Sequence, residues 1–221
     1  MRAGPLSSGK KVGVNAGKSG SMGAQTMSAT QSLYDYLYHG MGLKTAGIVL
    51  GVLMIVGHLA LLLGGEKSIA FLKKLPRDYK LGVVLMAVAF AWTLLVWTWM
   101  DLGEFHAFEG RGQIIIVIGF FAVAYYVREF LAVRATGFLL ILAAAPLLHA
   151  AFLELPITRL LLVILCFVWI TKGMFWVGMP YLMRDQIGWA VKDAGRFKVM
   201  VLAGLAYGIA ILACALAFWP N

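Results

Sequence analysis

Of the 221 residues, 62% are hydrophobic and 13% charged, with a mean hydropathy of +0.86, whereas a soluble domain is about half apolar and a quarter charged. That balance excludes a water-soluble enzyme and points to a chain dissolved in lipid. The net charge of +9 would suit nucleic acid if the cations formed one patch; they fall instead in short connections between apolar runs, as membrane orientation requires.

Residues 1–32 are Gly, Ser, Ala and Lys with few bulky apolar side chains, too little to offset ordering entropy, so a disordered basic tail is expected. Met22 and Met27 are alternative starts. No cleaved signal peptide is expected, because the first apolar run begins only near residue 45 and has the length of a full span. From Ser32, SLYDYLYHGMGL sets Leu33, Leu37 and Met41 four apart among three tyrosines, a pattern for a short helix in the headgroup layer that Gly40 would end.

A bilayer core of about 30 Å takes about 20 helical residues to cross, so residues 33–221 are expected to form an all-α polytopic bundle. Its six spans are placed near 45–64, 81–100, 114–133, 135–153, 160–180 and 199–219, the third interrupted by Arg128 and Glu129. Continuous apolar runs, rather than short alternating segments, exclude a strand barrel. Gly47 and Gly51 in the first span and Gly204 and Gly208 in the last are small-xxx-small pairs, expected to let these two helices approach closely. Cys166 and Cys214 lie inside apolar runs with no disulfide or metal spacing and read as packing residues.

Eleven Lys or Arg flank the spans on one side: five in 65–80, Arg128 and Arg134, and four in 183–198. The other side has Lys44, Arg111 and Arg159. The positive-inside rule then gives N-out, C-out insertion, with the basic loops against anionic headgroups of the plasma membrane.

The fourth run, RATGFLLILAAAPLLHAAFLE from Arg134, echoes the first, KTAGIVLGVLMIVGHLALLL from Lys44: a cation, Gly three residues later, and one His deep in the run (His58, His149). GRGQIIIVIG from Gly110 and GRFKVMVLAG from Gly195 echo each other as well. Repeat halves 44–133 and 134–219 are the expectation, and three spans apiece would make them an inverted pair of the transporter kind.

Lys172 is the most informative residue, because a cation near the middle of a span costs about 2.5 to 3.5 kcal/mol or more. Pointing into the bundle it would form a polar site with Glu129 or Thr93, to which His58 and His149 are further candidates. Outside the bundle it would snorkel along its stem. The two histidines differ in depth by about 13 Å at 1.5 Å per residue, too far apart for the two faces of one haem iron. The loop MDLGEFHAFEGR gathers Asp101, Glu104, His106 and Glu109, oxygen and imidazole donors that would suit a hard or borderline divalent ion, although their spacing is not diagnostic and a solvated acidic loop is the alternative.

The sequence has no phosphate loop, dinucleotide fingerprint, HExxH or nucleophile elbow, so no cofactor is implied and an enzyme is disfavoured. The residues suggest a transporter-like protein for a small solute or ion. An accessory subunit of a larger membrane complex is the alternative, and a membrane-embedded enzyme the third reading. Partners expected are the lipid bilayer and another copy or a membrane complex, not nucleic acid.

Overall fold

A computed structural model describes residues 29–126 and 129–219, without the side chains of residues 105–107. Among the described residues there are helices and no strands. They are α1 (29–35), α2 (Leu43–Lys74), α3 (Tyr79–Trp99), α4 (Glu109–Tyr126), α5 (Leu131–Ala150), α6 (Leu160–Gly178), α7 (Tyr181–Ala190) and α8 (Ala194–Ala217). The expected disordered tail lies outside the described residues as far as residue 28; residues 29–32, counted with it, are the first turn of α1.

Five helices among the described residues, α2, α3, α5, α6 and α8, are long and apolar enough to cross a membrane. The third expected span is not one of them. Phe130, in the left-handed region at φ 56°, separates α4 from α5, so the run 114–133 is not one helix. Because α4 opens with Glu109, Arg111 and Gln113, its apolar part from Ile114 to Tyr126 is about 20 Å long at 1.5 Å per residue.

The helices pair through small residues, as close packing in lipid requires when the hydrophobic effect gives no preference for neighbours over lipid tails. Antiparallel α2 and α8 meet where Gly47 faces Trp219 and Ala215, and Gly51 faces Leu212 and Gly208. The pair α5 and α6 crosses at Gly137 and Gly173, where an added Cβ on either glycine would stand 2.7–2.8 Å from the other's carbonyl oxygen. Gly82 at the start of α3 lies on Leu131 and Ala132 at the start of α5, so these two run in parallel; α4 returns antiparallel to α3, with Gly112 under Trp97 and Phe120 stacked on Phe90.

α5 is central: 44% of its apolar stretch is buried, against 17–22% in the other span-length helices. Around its C-terminal end Ala144, Leu147 and Ala150 pack with Leu43, Ala46 and Leu50 of α2, Leu162 and Cys166 of α6, and Ile211 and Ala215 of α8. Polar tips close this end, with Trp219 Nε1 donating to Thr158 Oγ1 at 2.8 Å and the Tyr207 hydroxyl to the Leu161 carbonyl at 2.7 Å. The expected repeat halves do not pack alike. α5 lies along α6, but their counterparts α2 and α3 make almost no contact.

At the opposite end α2 breaks at Gly65, whose φ of 50° and ψ of −119° suit only glycine. Beyond the break Ile69 and Leu72 pack on Val191, Phe197 and Val201, next to α7 and on α8. A Cβ at Gly65 would meet nothing within 4 Å, so Gly65→Val should cost about 1–3 kcal/mol through the backbone alone. Gly57→Ala, equally unobstructed in regular helix, should be neutral or slightly stabilising in the same thermal melts; equal melting temperatures for both variants would refute the break.

Asp78 caps α3, its carboxylate accepting from Leu81 N at 3.1 Å with Lys74 at 3.7 Å. The Leu81 N–H, helped by Lys74, holds this carboxyl below its ordinary range. A group with a lowered folded pKa stabilises above its unfolded value, about 4 for Asp, and loses that contribution as pH falls through the folded value. Asp78→Asn keeps a cap but does not titrate, so its melting temperature should fall less than that of the parent below about pH 4; parallel curves would contradict the assignment.

Candidate functional site

The residues expected to form one intramembrane site stand in separate places. Lys172 is exposed on the outer face of α6, in a surface groove it lines with Ile164, Phe167, Val168 and Thr171. The Thr171 hydroxyl is taken by the Phe167 carbonyl at 2.8 Å. Glu129 is exposed just before α5, in a cleft with Arg77, Tyr79 and Phe130. Thr93 faces a second, apolar cleft among α3, α4 and α5, lined also by Phe90, Phe120 and Phe138, and donates to its own helix at Ala89 O, 2.8 Å away. The structure does not bring Lys172 together with either of them.

His58 sits in the α2–α8 seam, its ring covering Gly204 and its Nδ1 at 2.7 Å from Met54 O; any side chain at 204 would displace the imidazole. His149, exposed at the end of α5, meets the ring of His39 edge-on at 5.3 Å. Tyr34 stacks on Tyr38 at 4.9 Å, and Trp92 Nε1 donates to the Tyr38 hydroxyl at 3.1 Å. The headgroup helix read from the tyrosines thus covers the end of α5 where His149 lies.

Between α3 and α4 Asp101 accepts from the Gly103 N–H at 2.9 Å, and Glu109 gives its backbone carbonyl to Trp97 Nε1 at 2.9 Å. Glu104 is exposed, and the side chain of His106 lies outside the described residues. No three His, Cys, Asp or Glu among the described residues stand close enough to share a metal ion.

Arg134 carries chemistry that the sequence reading did not assign. It reaches from α5 to the C-terminal end of α6, Nη1 donating to Val177 O at 2.8 Å, where a cation complements the free carbonyls and the negative helix end. Its Nε is buried with no partner among the described residues. The signal available was a cation three residues before Gly137, the point where the two helices touch.

Among the described residues no polar or charged side chain is fully buried. The half-buried polar side chains that are not at helix ends stand singly, His58 bonded to its own helix in the α2–α8 seam and Thr93 to its own helix in the α3–α5 cleft. Comparison with protein-family models, with characterised proteins and with solved structures finds nothing that matches this chain.

Proposed function

We propose that this integral membrane protein is a non-catalytic subunit that docks, within the bilayer, the Lys172 face of α6 against a partner span bearing a carboxylate. The observation that carries the reading is the outward position of Lys172. A solute pathway needs polar groups turned inward, and the transporter reading rested on Lys172 being one of them. On the outer face, about 9 Å from the end of α6 at 1.5 Å per residue, its ammonium gains most from an opposite charge in a neighbouring span. A second copy does not supply one: the ten acidic residues all lie in loops, in α7, at helix ends or beyond the Gly65 break.

The same reading has six crossings, N-out and C-out. Support comes from α2 beginning beside the end of α8, which implies an even number of crossings. It also comes from α4 running back along α3 toward the level where α5 begins, and from the basic residues gathered at that level. Purification in mild detergent tests the subunit role. The chain should elute with a stoichiometric acidic-span partner and lose it on Lys172→Glu; a chain that is monodisperse alone and moves a solute when reconstituted would overturn the proposal.

A further inference from the structure

At the end of the bundle where α3, α5 and α8 begin, a cleft of about 270 Å³ lies between the turn Leu75–Arg77 and α7, lined by Lys73, Pro76, Arg77, Arg184, Ile187 and Gly188. Its chemistry is one-sided. Three cations line it, Pro76 and Ile187 give it an apolar wall, Gly188 adds no side chain, and no carboxylate is among the lining residues. Asp185 takes one edge of Arg184 at 2.8 Å, and Glu129 shares a neighbouring cleft with Arg77; Arg77 and Lys73 have no ion-pair partner among the described residues.

The cleft stands at the end of span-length helices, beside exposed aromatic side chains. Phe71 on the last turns of α2 and Trp189 beside Gly188 are both more than half exposed, Trp being a residue that settles in the headgroup layer and Phe one that enters its apolar edge. Basic pockets at the ends of spans suit anionic headgroups.

We propose that this cleft is a stoichiometric site for the phosphodiester of one anionic phospholipid. Arg77 and Arg184 donate to its oxygens, Lys73 adds charge, and the glycerol end of the lipid lies along Ile187. The site is independent of the Lys172 docking face. It differs from diffuse attraction to a charged surface because it saturates and depends on these three residues.

Native mass spectrometry of the full chain in detergent, titrated with phosphatidylglycerol or phosphatidylcholine, tests it. One phosphatidylglycerol per chain should be retained, and at least tenfold less in Arg77→Gln/Arg184→Gln. Lys192→Gln/Lys198→Gln, exposed cations near the same end, should leave retention unchanged. If the double arginine variant does not fold, Lys73→Gln, a single change at an exposed side chain, must still weaken retention. Equal retention of phosphatidylcholine, equal loss in the Lys192/Lys198 variant, or unchanged retention in Lys73→Gln would overturn the site. Displacement by equimolar glycerol phosphate would make the ligand a soluble phosphate and overturn the lipid assignment.

Discussion

Gly173→Ala is expected to lower the melting temperature well below that of a methyl addition at an unobstructed helical glycine. The new Cβ would lie 2.7 Å from the Gly137 carbonyl oxygen and 2.8 Å from Ile141 Cγ1. Backbone of a helix held on its other faces by α3 and α2 cannot move aside the way a side-chain tip can, so α5 and α6 must separate along their whole contact. Overpacking of this kind costs about 1–3 kcal/mol, sometimes more. Gly137→Ala should cost as much, since its Cβ meets the Gly173 carbonyl at 2.8 Å. The double variant should cost less than the sum, because the first substitution has already parted the helices. Gly119→Ala on α4, with nothing within 4 Å, is the control. Thermal melts in one detergent decide it: similar temperatures for the Gly173 and Gly119 variants would show that the two backbones are not in contact.

Lys172→Glu is the second large effect expected, and it is an effect on association rather than on folding. The side chain is exposed and lies in a groove of about 440 Å³ with apolar neighbours, so its replacement leaves the bundle packing untouched. On the proposed docking, reversing its charge would set two carboxylates against each other inside the bilayer, where like charges cost several kcal/mol. Lys172→Arg should keep the complex and Lys172→Met weaken it. Snorkelling toward lipid headgroups would instead leave all three variants alike in co-purification, with equal melting temperatures.

Five of the spans were legible because length and hydropathy alone identify them. So were the glycines of α2 and α8, which announce a close seam by recurring at a spacing of four. The α5–α6 crossing was harder to read: it uses one glycine from each helix, and a lone glycine in an apolar run has no partner to mark it. The direction of Lys172 was hidden for a different reason. In water the polar face of a helix points outward, but here both core and lipid faces are apolar, so periodicity carries little information about which side is inside. The usable signal is the stripe of residues that reach the core. Leu162, Cys166 and Gly173 are buried at spacings of four and seven, and Lys172, next to Gly173, is turned from them by about 100°. Glu129 misled for lack of a local marker, since nothing in YYVREFLAV foretells that Phe130 takes a left-handed conformation and ends the preceding run.

The docking face is tested most directly by a photo-crosslinking residue placed at Val168, on the groove beside Lys172, and separately at Met200, exposed on α8, with both irradiated in native membranes. The expected result is one discrete protein adduct from position 168, abolished when Lys172→Glu is added and kept with Lys172→Arg, and only lipid adducts from position 200. Lipid adducts alone at both positions would contradict the assignment of the Lys172 face to a partner.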